Sequence, residues 1–151
     1  MLDSARGAPI GLLEIKAPVY KLYGESDPST IRGVPLRYIC QMHMQMAVTG
    51  IKTWCDFAAM CMSTKKLMIK RVYFSESFWS KLEAQIWRFV CCIRDGRTPH
   101  HMRPECPPPD LDQSSIVIHD LLTYNLAMTR VMGPRGVWMD FGFLIGTPFE
   151  Y

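Results

Sequence analysis

No stretch of this 151-residue chain approaches the roughly 18 consecutive apolar residues of a membrane-spanning helix, and its N-terminus has no apolar signal core. A membrane partner and secretion are therefore not expected, and an intracellular location is. No Cys-x-x-Cys pair occurs among Cys40, Cys55, Cys61, Cys91, Cys92 and Cys106, so nothing in the cysteine spacing points to zinc. Four of the six sit in apolar stretches, as reduced core thiols do. The excess of basic over acidic residues is small: 17 Lys and Arg against 14 Asp and Glu leave a formal +3, which permits nucleic-acid binding without demanding it. No internal repeat is evident, so a solenoid is not expected. One domain, or one domain with a tail, remains, and the 48% apolar content is enough to build its core.

What is present begins with Gly11-Leu12-Leu13-Glu14-Ile15-Lys16-Ala17-Pro18. This reads as a short buried strand carrying two charges. Alternation places Glu14 and Lys16 on one face and Leu13, Ile15 and Ala17 on the other. A carboxylate and an ammonium side by side on such a strand are costly to bury without a purpose. One purpose fits: the Glu holds a divalent metal, and the Lys stabilises a nucleophile or a phosphate oxygen. Upstream, residues 1–10 read as a strand end running into a hairpin turn, which carries Asp3 towards the same edge as Glu14. Two neighbouring carboxylates repel unless a cation lies between them, and a hard oxygen site of this kind suits Mg²⁺.

Residues 19–33 are rich in turn formers and read as a long loop. Pro35 suits the start of a helix over about 35–48, ended by Gly50. On that helix Tyr38, Gln41 and Gln45 share one side, while His43 points well away from Gln41. Gln41 is placed to hydrogen-bond the attacking water or a metal ligand, and Met42, Met44 and Met46 read as core filler. Strands follow at 54–62 and 67–74, pairing as a hairpin about Lys65-Lys66. A helix over about 76–94 has Ser75 as its N-cap and Gly96 past its end. Its stripe of Phe78, Leu82, Ile86, Phe89 and Ile93 is expected to pack on the sheet. Pro99, Pro104 and Pro107 to Pro109 then mark a linker, dividing a core at 1–97 from an extension at 98–151. Residues 115–132 read as a short strand or helix, and His100-His101 as solvated. Lys65, Lys66, Lys70 and Arg71 are candidates for contacting nucleic-acid phosphates, although a soluble hairpin turn explains them almost as well.

Three ordered motifs now stand together. They are Met1-Leu2-Asp3-Ser4, then Leu12-Leu13-Glu14-Ile15-Lys16-Ala17-Pro18, then Tyr38 to Gly50 with Gln41 inside it. Over roughly residues 1–95 the chain resembles the YqaJ-type viral recombinases, the lambda-exonuclease-like family of the PD-(D/E)XK superfamily. Cys55-Asp56-Phe57 and Arg71-Val72 are similar to the family's following strands. Ser4 stands where the family usually has Gly, and His43 where it has a second Gln.

The resemblance implies an α/β (α+β) restriction-endonuclease-like core, with a central mixed sheet flanked by helices and N-terminally truncated relative to the family. It implies Asp3, Glu14, Lys16 and Gln41 as catalytic residues. Asp3, Glu14 and the backbone carbonyl of Ile15 would be the metal ligands, for Mg²⁺ or alternatively Mn²⁺. The implied activity is exonucleolytic hydrolysis at duplex DNA ends in viral recombination or replication, in the nucleus or cytoplasm of a host cell. A ring-shaped homo-oligomer and a single-strand annealing protein are the implied partners. The other class of function is a catalytically inactive remnant of such a fold that binds nucleic acid or protein.

Overall fold

In the computed structural model, residues 10–99, 110–125, 127–132 and 138–143 are described. The first strand, β1 (Leu12–Lys16), pairs in parallel with β4 (Trp54–Cys61), opposing Glu14 to Phe57 and Lys16 to Ala59. Parallel neighbours need a crossover, and α1 (Leu36–Thr49) lies between them in the chain. β4 then turns back antiparallel into β5 (Lys66–Tyr73), and β6 (Ile118–Asn125) adds antiparallel beyond it. The result is a mixed four-stranded sheet of order β1-β4-β5-β6, with α1 and α2 (Glu76–Arg94) as its two helices. This is the mixed α/β class expected from the sequence.

Local chemistry explains the boundaries. A Cβ at Gly11, just before β1, would collide with the Trp54 indole of the neighbouring strand. Gly50 closes α1 in the left-handed region at φ 74°, its N–H reaching the Ala47 carbonyl. Ser75 caps α2, its Oγ accepting the Phe78 N–H at 3.1 Å. α1 buries Ile39, Met42, His43 and Met46, which recur with helical spacing, against a core centred on Phe57, Val72 and Phe78. Cys55 and Cys61 are buried, and burial pushes the Cys55 thiol up to about 12, as expected of an inert core cysteine.

Several expectations change. The segment 19–33 is not all loop: β2 (Thr30–Ile31) and β3 (Val34–Pro35) form a small hairpin. Its two turn residues, Arg32 and Gly33, both have positive φ (48° and 79°), as a type I′ hairpin turn requires. The stripe of α2 is buried most deeply at its start and less so along its length, with Ile86 and Phe89 half-buried. Phe78 and Leu82 are buried, but Ile93 is 60% exposed. Met44 faces solvent while Met42 and Met46 are in the core. The 97/98 division also falls inside the folded unit, because β6 from beyond it completes the sheet. Within 115–132 the chain is mainly strand, as β6 and then β7 (Ala127–Met132), which pairs with β8 (Trp138–Phe143). Asp3 and His100-His101 lie outside the described residues. No helix among the described residues is long and apolar enough to cross a membrane.

His43 ties the two helices together. Its Nε2 accepts the Ser75 N–H at 3.1 Å, so the ring proton is on Nδ1, which donates to the Ile39 carbonyl at 2.9 Å. Phe74 and Phe78 lie against the ring, with centroids 5.4 and 4.7 Å away. Burial holds its pKa below the ordinary 6.5, although the Ile39 hydrogen bond works the other way. The unfolded chain therefore binds this proton more readily than the folded one. His43 contributes fully above the unfolded value, and its contribution is lost as pH falls from there towards the folded value. Urea unfolding from pH 7.5 down to 5 should show stability falling below about 6.5, the ordinary imidazole value. His43→Gln, which does not titrate, should remove that slope.

Candidate active site

β1 turns its charged face inward. Glu14 is only 9% exposed, whereas Leu13 and Ile15 on the opposite face are 62% and 68% exposed. The strand is thus less buried on its apolar side than the sequence suggests. The inward face lies against one side of α1, and this is what brings the separated motifs together.

Glu14 sits in a cage of donors. Its Oε1 meets the Lys16 ammonium at 2.5 Å and the Gln41 amide at 3.1 Å. Its Oε2 accepts from the Gln45 amide at 2.8 Å. Gln41 also accepts from Lys16 at 3.3 Å, so its amide bridges the ion pair using both ends. Lys16 lies over the Tyr38 ring, 4.5 Å from the centroid, a cation–π contact that holds the ammonium at the edge of the core. Burial alone pushes the Glu14 carboxyl up. Lys16, Gln45 and Gln41 together outweigh it and hold the group below the usual carboxylate range. The carboxylate is therefore ionised at neutral pH, as a cation ligand must be.

Of the expected site residues, Glu14, Lys16 and Gln41 are brought into direct contact, and Asp3 lies outside the described residues. Gln45 was recognisable only as a residue on the Gln41 side of the helix, because its partner lies 31 positions away. Among the described residues no three His, Cys, Asp or Glu side chains gather into a metal cage. A single hard carboxylate still suits Mg²⁺, which is held by one or two carboxylates together with water and substrate phosphate.

The four basic residues of the β4–β5 hairpin are not brought together. Lys65 precedes β5 and Lys66 begins it, but Lys70 and Arg71 are consecutive on the strand and face opposite ways. Lys70 is 5% exposed and ion-paired to Glu25 at 2.8 Å and Asp120 at 2.7 Å. Arg71 makes a two-pronged contact with Asp56 at 2.7 and 2.9 Å and lies over the Trp54 ring. Both are committed within the fold. Replacing Lys65 and Lys66 by Ala should weaken any duplex binding and flatten its salt dependence, by about two phosphate contacts at most. Lys70→Ala should instead cost about 1–2 kcal/mol of stability, because its half-exposed carboxylate partners can rehydrate. Salt titrations of binding and denaturant unfolding of each variant separate the two effects.

No curated protein and no solved structure matches the chain. The family model of the YqaJ-like viral recombinase domain does match, over residues 3–52, which include Asp3, Glu14, Lys16, Gln41 and Gln45. That is the family the sequence motifs resemble, and at a coarse level the match supports a nuclease-type function.

Proposed function

We propose that the chain is a Mg²⁺-dependent DNA exonuclease that hydrolyses phosphodiester bonds at duplex ends. The observation that carries this reading is the contact set of Glu14, Lys16 and Gln41, from two elements that the parallel β1–β4 pairing and the α1 crossover place side by side. Glu14, with Asp3 and the Ile15 carbonyl, would hold the metal. When bound, the metal would acidify a water and polarise the scissile phosphate. The chain's own groups do the rest. The Lys16 ammonium faces the side where negative charge grows on the phosphate, and it orients the attacking water. Gln41 fixes the direction of that ammonium and leaves Glu14 no freedom to rotate away. Water oxygen bonds to phosphorus and gives up a proton to solvent, the bond to the leaving sugar oxygen breaks, and that oxygen takes up a proton from solvent. Fixed groups aimed at developing charge contribute most where they need no rearrangement.

End-labelled linear duplex DNA, incubated with Mg²⁺ or with EDTA, tests this. Wild type should digest it only with the metal, and Lys16→Ala should slow digestion by about 10²–10⁴-fold, the usual contribution of a group that moves or orients a proton. Absence of digestion by a wild-type chain with native circular dichroism would overturn the nuclease reading. DNA retention in a gel-shift experiment would then identify a binding module.

A further inference from the structure

The donors around Glu14 are unevenly shared. Oε1 receives both Lys16 and Gln41, and Oε2 receives Gln45 alone. A carboxylate offers about four lone-pair positions. Three donors fill three of them, and the position left open is on Oε2. Gln45 lies one turn beyond Gln41 on α1, flanked by the fully buried Met42 and Met46. Its amide is therefore delivered by an element locked into the core and not by a mobile loop, the condition for holding a ligand to a fraction of an ångström.

We propose that Gln45 is a positioning residue for the divalent cation. By taking one lone pair of Oε2, it sets the plane of the Glu14 carboxylate and turns the remaining lone pair of that oxygen outward to a hard cation. Lys16 and Gln41 meanwhile occupy Oε1. Gln45 itself does not touch the metal or the substrate. The inference rests on the reading of Glu14 as a metal ligand, and it adds a second glutamine, with a role distinct from that of Gln41. Such outer partners commonly account for 10–100-fold in metal affinity.

The test is Mn²⁺ binding to the full chain without DNA, followed by the loss of free-ion signal in electron paramagnetic resonance. Wild type, Gln45→Met and Glu14→Gln are compared, with thermal unfolding in EDTA as the measure of folding. Gln45→Met keeps the length of the side chain but removes the donor. It should bind Mn²⁺ about 10–100-fold more weakly while still unfolding cooperatively. If it does not fold, Gln45→Asn, whose amide is drawn back by one methylene, carries the same comparison. Unchanged Mn²⁺ affinity in a folded Gln45 variant, with Glu14→Gln impaired, overturns this proposal and leaves the nuclease reading standing. If wild type binds no Mn²⁺ without DNA, this proposal falls and the digestion assay alone decides the nuclease reading. If Glu14→Gln binds Mn²⁺ as well as wild type does, Glu14 is not a ligand, and both readings fall together.

Discussion

An ionised carboxylate held between a sheet and a helix has to be met by donors on the surface it faces, and Glu14 imposes that condition on everything near it. Lys16 supplies one donor from the same strand face. The others come from α1, which must present Gln41 and Gln45 to β1 while turning Ile39, Met42 and Met46 to the core. The two requirements fix the rotation of the helix about its axis. Stranding a buried charge by withdrawing its partners is among the more destabilising changes open to a protein, so the polar side of α1 is constrained as firmly as its apolar side.

The same sheet face carries a second ionic cluster, and the register shows how the two are kept apart. Glu14, Phe57, Lys70 and Asp120 form one row across β1, β4, β5 and β6. Phe57 is fully buried between the charged neighbours, with Tyr38 stacked on it at 5.6 Å and Tyr23 at 6.1 Å. These rings separate Lys70 from Glu14, so each cation settles on its own carboxylates. Lys70 pins the segment before α1 through Glu25, and this segment delivers Tyr23 to the Tyr38 hydroxyl at 3.3 Å. Tyr38 in turn lies beneath Lys16. The buried lysine thus acts on the candidate site through two aromatic rings, a structural part that its sequence position beside Arg71 does not suggest.

Where one helical or strand period and one capping residue decide an element, the sequence was readable. α1 with Gly50, α2 with Ser75, and the β4–β5 hairpin all fall where periodicity and caps put them. The grouping of Glu14, Lys16 and Gln41 was readable too, because ordered motifs stood in for the missing distances. What was not legible depends on pairing across the chain. Arg32-Gly33 is an uncommon hairpin turn, and the proline run hid a strand that returns to the sheet from beyond it. That Leu13 and Ile15 are exposed while Glu14 is buried inverts ordinary hydrophobic patterning. It follows from the glutamines opposite, not from anything within β1. The opposed directions of Lys70 and Arg71 are a different case. Strand alternation already contained that answer.

The contrast between the buried Lys70 and the half-buried Lys16 bears on what the Glu14 site is for. Lys70 has carboxylates on two sides and its side chain is 6% exposed, which closes it off as a structural group. The Lys16 side chain is 22% exposed and shares a single carboxylate. An ion pair kept only for stability gains little over apolar residues of similar volume, since desolvation offsets the attraction. It gains less still when two glutamines must also be ordered around it. A pair that stays partly open, with one carboxylate lone pair unclaimed and an ammonium reachable from solvent, is understandable if a cation and an anionic ester complete it. The cost of assembling these groups on the protein is then met before substrate arrives, which is what makes a preorganised polar site effective.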